Sequence, residues 1–437
     1  MGSRLLIRGA RILDPASGVN EEGDLLCEDG KVVAVGAVKG TTAGTDGESL
    51  ELDAKGLVAS PGLVDLHVHF REPGQEYKED IHTGSAAAVA GGFTTVCCMP
   101  NTSPPNDCRA VTDLIIARAA EADLARVHPV AAISMGQAGE ALTEMAELKE
   151  AGAVAVSDDG HPVSDAGFMR RALEYASTFG LVVVNHCEDL SLSRGAAMHE
   201  GEASTRTGLR AQPAAAEEVM VARDLLLCRQ TRARYHAAHL STAGSVELVR
   251  RAKAEGLPVT AEVTVHHLLL TDEACLDFDT RTKCNPPLRP EADRQACIAG
   301  VADGTLDAIV TDHAPHTASD KAVEFEDAPF GVIGLETALP ALLRLVDQGA
   351  LTLSTVIERL TAGPAACFGL DVGRLVPGSP ADVTLIDPDL SYTIRPEHFQ
   401  SRSANTPFAG WDVRGRAVAT VVGGRLVYRW PDGLVPR

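Results

Sequence analysis

The sequence predicts an α/β protein, a (β/α)8 TIM barrel joined to a small β domain built from the two chain ends. Three observations carry this expectation. Eight apolar, strand-like runs recur through the middle of the chain, helical stretches separate them, and both ends are β-rich where the middle is not. At 437 residues the chain exceeds one small core and suits a large domain with a smaller companion. The expected division is 1–55 for the first part of the β domain, 56–370 for the barrel and 371–437 for the second part. A doubly wound sheet is the competing architecture, but no G-x-G-x-x-G follows an early strand.

In chain order, RLLIRGARILD and DLLCEDGKVVAVG read as strands, with Asp29-Gly30 as a hairpin turn. TTAGTDGES reads as a polar loop. The eight runs of the middle are GLVDLHVHF, FTTVCCMP, RVHPVAAIS, AVAVSDD, LVVVNHCED, RYHAAHLS, LPVTAEVT and LDAIVTDHAP. Between them, Cys108 to Ala122, Asp165 to Phe179, Ala214 to Arg229, Ser245 to Ala254 and Pro290 to Ala302 read as helices. The C-terminal end returns to strands in ADVTLIDPD and AVATVVGGRLVYR, the latter turning at Gly423-Gly424.

Composition narrows the function classes. A hydrophobic content of 45% and a charged content of 23% are ordinary for a globular protein. No run of 18 apolar residues suggests a membrane span. Arg8 and Arg11 interrupt the N-terminus, which therefore does not read as a signal peptide, and a cytoplasmic location is expected. A net charge of −21 argues against nucleic acid or an anionic membrane as partner, though a locally positive pocket could still take an anionic substrate. The ten cysteines include no C-x-x-C and read as buried free thiols, none a strong ligand or nucleophile.

A barrel enzyme carries its chemistry at the C-terminal ends of its strands. His67 and His69 end the first run two residues apart, so on a strand both imidazoles face one way. Asn101 follows the second run, Asp158 and Asp159 end the fourth, His186 the fifth, His239 the sixth and Asp312 the eighth. One strand-end histidine is usually structural. Four histidines with carboxylates from five strands near one rim supply ligands for two borderline divalent ions, zinc being the natural choice. Among the other histidines, His82 and His199 are expected on or near helices and open to solvent. His128 and His236 begin strands at the barrel's other end, and His266 and His267 are rim residues without an assigned role. His161 is a candidate for a supporting contact near Asp159.

These stretches resemble the dihydroorotases of the amidohydrolase superfamily, in the bacterial branch with aspartate at the bridging position. The matching segments are GLVDLHVHFREPG, FTTVCCMPNTSPPND, VSDDG, VVNHCED, AAHLST, EVTVHHLLL, KCNPPLR, DAIVTDHAPH and DAPFGVIGLETALP. The resemblance implies two zinc ions per subunit, one held by His67, His69 and Asp312, the second by His186 and His239, with Asp159 touching both. Choosing Asp159 over Asp158 rests on the resemblance alone, because a one-residue slip would exchange them. AVAVSDDG offers no lysine, so the carboxylated lysine of many superfamily members is not expected.

The implied reaction is the reversible cyclisation of N-carbamoyl-L-aspartate to (S)-dihydroorotate plus water, in pyrimidine (UMP) biosynthesis. Asp312 would be ligand and also general base, then general acid. Arg71 presents a planar fork suited to the substrate carboxylate, with Asn101 and His316 completing that pocket and His69 beside it. Asn285 would bond the ring amide, and backbone groups of Phe330 and Gly331 the ring's other edge. The polar segment from His316 to Pro329 reads as a mobile lid. A homodimer and an association with aspartate transcarbamoylase are further implications. Two rival readings remain. One is a hydantoinase, dihydropyrimidinase or allantoinase, which shares the metal spacing but not the arginine after H-x-H-F. The other is a non-catalytic subunit that scaffolds the transcarbamoylase, a class that has lost metal ligands.

Overall fold

The computed structural model describes residues 4–36 and 49–436, so all but Ser49 of the loop TTAGTDGES lies outside the described residues. The N-terminal end supplies β1 (Arg4–Asp14), β2 (Val19–Glu28), β3 (Lys31–Gly36), β4 (Ser49–Asp53) and β5 (Val58–Pro61). The turn between β2 and β3 places Asp29 and Gly30 at φ 49° and 75°, the left-handed pair that a two-residue hairpin requires.

Eight parallel strands follow. They are β6 (Leu63–Val68), β7 (Phe93–Cys98), β8 (Arg126–Ala131), β9 (Ala155–Ser157) and β10 (Val182–Asn185). After an excursion carrying the short parallel pair β11 (Met198–His199) and β12 (Ala211–Gln212) come β13 (Tyr235–Ala237), β14 (Val259–Thr264) and β15 (Ala308–Val310). Each expected run holds one strand, and the five expected helices stand at Arg109–Ala122, Ala166–Thr178, Ala215–Thr231, Ala243–Ala254 and Glu291–Asp303. Every residue of β6 and β7 is buried, as strands covered on both faces must be, so their polar members Asp65, His67, Thr94 and Thr95 are buried along with the apolar ones.

The eight strands run in chain order from β6 to β15, and side chains help close the ring. Val68 bridges His313 in parallel, and His69 N donates to His313 O at 2.8 Å. Below that bridge the carboxylate of Asp65 takes the place of a ladder. It accepts from Thr311 N (3.2 Å) and Thr311 Oγ1 (2.5 Å), and on its own strand from His67 N (3.0 Å). Burial pushes Asp65 up to about 7 against the pull of these donors.

The C-terminal end adds β16 (Val383–Thr393), β17 (Asp412–Val422), β18 (Arg425–Arg429) and β19 (Gly433–Leu434). They join the first five strands in one nine-stranded sheet through the antiparallel pair β5–β16. Thr384 Oγ1 and Thr420 Oγ1 donate to Gly92 O (2.6 Å) and Val89 O (2.7 Å), tying this sheet to the connection between β6 and β7. Gly92 sits at φ 92°, where an added Cβ would lie 2.7 Å from Thr384 Cγ2, so the contact needs glycine. No helix among the described residues is long and apolar enough to cross a membrane.

Candidate metal centre and active site

At the C-terminal ends of β6, β9, β10, β13 and β15 the backbone turns into loops, and six ligand-type side chains converge there. His69 Nε2 lies 2.9 Å from Asp312 Oδ1 and 3.6 Å from Asp159 Oδ2. His67 Nε2 lies 3.4 Å from Asp159 Oδ1 and 3.7 Å from Asp312 Oδ1. On the other side of Asp159, its Oδ1 is 3.5 Å from His239 Nε2 and 3.8 Å from His186 Nδ1. Two ligand-type triads result, His67/His69/Asp312 and His67/Asp159/His239. His186 belongs to neither triad, but its Nδ1 is 2.9 Å from His239 Nε2.

The donor set fits a metal ion. Ligands of a tetrahedral zinc at about 2.0–2.1 Å stand roughly 3.3 Å from one another, close to most of these spacings. His67 Nε2 and Asp159 Oδ1 are buried and have no hydrogen-bond partner, a state that polar atoms rarely keep unless an ion or water satisfies them. Burial would push Asp159 and Asp312 up, but neighbouring imidazoles win: His67 and His239 hold Asp159, and His69 and His67 hold Asp312, well below the usual carboxylate range. Both stay anionic and able to ligate.

Three of the four histidines are oriented from behind. His67 Nδ1 donates to Glu262 Oε1 (2.8 Å), His69 Nδ1 to Asn101 Oδ1 (2.8 Å) and His186 Nε2 to Glu188 Oε2 (2.9 Å). With one ring nitrogen committed to these acceptors, the other is the nitrogen that faces the cavity and would ligate an ion once deprotonated. The second oxygen of Glu262 takes His236 Nε2 at 3.0 Å, and these two bonds outweigh burial to hold Glu262 at about 2.

A cavity of about 230 Å³ opens in front of this cluster. His69, Asp159, His186, His239 and Asp312 line it together with Arg71, Asn101, Asn285, His316, Phe330 and Gly331; His67 is fully buried behind them. Arg71 has no carboxylate within ion-pair distance among the described residues, and its Nε donates to Pro315 O at 3.3 Å. Burial lowers its guanidinium to about 10, with Asp312 and Asp159 opposing, so it remains a cation. His316 donates through Nε2 to Phe330 O (2.8 Å), and burial, reinforced by Arg71, holds it at about 2, hence neutral. Gly331 N is engaged with Lys283 O (2.9 Å), while Phe330 O keeps a lone pair free. Asn285 Oδ1 accepts from Gln212 Nε2 at 3.2 Å. Arg71, His239 and Asp312 adopt φ of 62°, 32° and 46°, strained conformations that cluster at functional sites.

Several positions differ from the sequence expectation. Asp158 turns away from the cavity and accepts from Ile133 N (2.8 Å), Ser134 N (3.0 Å) and Ser134 Oγ, leaving the cavity to Asp159. His199 does not face solvent. It is buried in β11, its Nδ1 accepting from Arg289 Nη1 at 2.9 Å, because the β11–β12 excursion folds back over that arginine. His236 does begin a strand, yet its ring joins the network behind His67. His161 is exposed, and its N donates to Asp158 O. His266, His267 and Cys284 form a third group of ligand-type atoms, but Thr264 Oγ1 and Pro286 O occupy both ring nitrogens of His267, and burial raises the Cys284 thiol far above its ordinary value. All ten cysteines are free, nine of them buried and Cys108 exposed. In the 316–329 segment half of the residues are exposed, and His316, Lys321, Phe325 and Ala328 are buried anchors. Lys321 is buried and donates to Pro329 O (2.7 Å) and Thr280 O (3.1 Å). Sequence reasoning missed Glu262, Glu188 and Gln212, and the one available signal was a carboxylate two residues from the candidate ligand His186 in VVNHCED.

Known proteins resemble this chain along nearly its whole length. A family model described as Dihydro-orotase-like matches residues 56–245. The chain is 53% identical over 429 residues to a dihydroorotase of Syntrophotalea carbinolica, covering 98% of this chain and 100% of that one. It is 50% identical over 426 residues to a dihydroorotase of Syntrophus aciditrophicus, with 98% and 99% covered. Among solved structures, L-hydantoinase from Arthrobacter aurescens superposes with a TM-score of 0.89 at 26% identity, over 100% of this chain and 98% of the other. Dihydropyrimidinase from Brevibacillus agri shares the fold, with a TM-score of 0.81 at 22% identity over 98% and 95% of the two chains. With relatives half identical along nearly its entire length, and a ligand-type cluster at the barrel mouth, the chain belongs to the dihydroorotase family of the amidohydrolase superfamily.

Proposed function

We propose that this enzyme, a cyclic amide hydrolase, interconverts N-carbamoyl-L-aspartate and (S)-dihydroorotate plus water in pyrimidine biosynthesis, with two zinc ions per subunit. One observation supports the substrate most directly: Arg71, a cation with no carboxylate partner among the described residues, lines the same cavity as five of the six ligand-type side chains. His67, His69 and Asp312 would hold one ion, His186 and His239 the second, and Asp159 both. When bound, the ions supply a lowered pKa for water and polarisation of the amide carbonyl.

The protein's own groups do the rest. Arg71 takes the substrate carboxylate with its planar fork. Asn101 and His316 complete that wall. Asn285 meets the ring amide, and Phe330 O with its remaining lone pair meets a ring N–H at the opposite edge. Asp312, buried and anionic, receives a proton from the attacking water and returns it to the leaving ring nitrogen. In the cyclising direction the same carboxylate takes the proton from the ureido nitrogen. Hydantoins, dihydrouracil and allantoin lack a carboxylate, so they would leave the half-buried Arg71 without a substrate anion.

The test compares hydrolysis of dihydroorotate, dihydrouracil and allantoin with and without a chelator. Dihydroorotate is expected to be turned over in strong preference, and zinc removal to abolish turnover. Equal turnover of dihydrouracil would assign the protein to the hydantoinase-like reading instead. A metal-free, inactive chain that still binds aspartate transcarbamoylase would make it a scaffold. That outcome is disfavoured by the presence of all six ligand-type residues.

A further inference from the structure

Glu188 stands outside the cavity yet touches two residues that line it. Its Oε2 is 2.9 Å from His186 Nε2 and 2.8 Å from Asn285 Nδ2, and those two nitrogens are 3.2 Å apart. One carboxylate oxygen therefore accepts from both. The side chain is only 13% exposed, and His186 is its ion-pair partner. Because the carboxylate takes the proton on Nε2, Nδ1, which faces His239 and Asp159, is the nitrogen left to ligate an ion. Asn285 is held at its other end by Gln212 Nε2 from β12, so the direction of its amide is set by Glu188 and Gln212 together.

We propose that Glu188 is a positioning residue that ties the second metal position to the substrate pocket. Through one oxygen it decides which nitrogen His186 offers to the ion and where Asn285 holds its amide. The proposal rests on the reading of His186 as a zinc ligand and Asn285 as a ring contact. Without Glu188 the imidazole can turn over, and Asn285 loses the acceptor that aims it.

The experiment titrates zinc into metal-stripped wild type, Glu188→Gln and Glu188→Ala against a chromophoric chelator, and measures KM for dihydroorotate in these and in Asn285→Ala. Glu188→Gln keeps the shape, so it reads out the charge even if Glu188→Ala does not fold. The expected result is one zinc held as in wild type and the second bound about 10–100-fold more weakly, the usual range for removing a residue that orients a ligand. KM should rise in Glu188→Gln, and adding Asn285→Ala should raise it less than it does in wild type, because the two residues act as a unit. Asn285→Ala alone should leave both zinc affinities unchanged, a pattern that general loosening of the fold would not produce. Wild-type affinity for the second zinc in both Glu188 variants overturns the proposal and leaves the assigned function standing. A wild type that binds a single zinc, or an Asn285→Ala enzyme with unchanged KM, overturns it by removing the reading on which it rests.

Discussion

Arg71 shows how much one side chain can decide. It follows the metal-type histidines in HVHFR, is held at φ 62° and faces the cavity with no carboxylate partner among the described residues. A cation in that setting is stable when an anion arrives, and the two substrates of the proposed equilibrium bring one. Arg71→Ala is expected to raise KM for dihydroorotate at least tenfold in steady-state assays, since truncating a buried charge pair costs roughly 2–5 kcal/mol. Arg71→Lys should not restore it, because a point charge lacks the bidentate fork. An unchanged KM in Arg71→Ala would take this residue out of the carboxylate pocket. At this scale the sequence was informative wherever chemistry-bearing residues sit close together, as in HVHF or TDHAPH. It was silent about Glu262, because the residue that Glu262 orients lies 195 positions away.

At the scale of elements, the strands and helices followed from local period and the loops did not. The eight runs became eight strands because a strand buried on both faces needs a mostly apolar sequence. The 316–329 segment reads as a mobile lid because it is polar and flanked by prolines; what that reading does not give is that Lys321 within it folds inward, where carbonyl oxygens receive it. The start of helix Ala338–Asp347 shows a similar inversion. The carboxylate of Glu336, two residues upstream, accepts from Gln400 N (2.9 Å) and Ser401 N (3.1 Å), and so ties the segment after β16 to the barrel. Burial raises Glu336 to about 8, with Glu79 adding to the shift and the backbone bonds and Arg416 opposing it. A carboxyl raised in the folded state contributes stability below its unfolded pKa, near 4.5, and loses it as pH rises through about 8. Glu336→Gln keeps one acceptor and cannot ionise. Thermal unfolding should therefore find it more stable than wild type at pH 8 and little different at pH 4. A difference that does not change between these two pH values would show that folding does not raise this carboxyl above its ordinary value.

Over the whole molecule, the sheet from the chain ends and the barrel hold each other through a few polar contacts over a large apolar contact. Asp382 precedes β16 and is buried, accepting from Arg126 Nε (2.8 Å) and Nη2 (3.1 Å) on β8 and from Gly423 N (2.7 Å) in the β17–β18 turn. Asp382→Ala strands those donors, of which Arg126 can reach water and Gly423 N cannot do so as easily. The expected loss is about 1–3 kcal/mol in denaturant unfolding, with KM unchanged because the cavity lies elsewhere. A Tm equal to wild type would mean that the turn finds water when the carboxylate is gone.

The sequence by itself determined the alternation of strands and helices, the β character of both ends and the residue types that carry the chemistry. All of these are written at spacings of two to four residues, and the family motifs sit within such spans. Only the tertiary structure decided that Asp159 rather than Asp158 faces the cavity, that His199 is buried, and that Glu262 and Glu188 set the orientation of His67 and His186. Those outcomes depend on hydrogen bonds between segments distant in the chain, as with Asp158 and Ser134, 24 positions apart, or Glu188 and Asn285, 97 apart. Such bonds form only after the barrel has brought the segments together, so no local pattern encodes them.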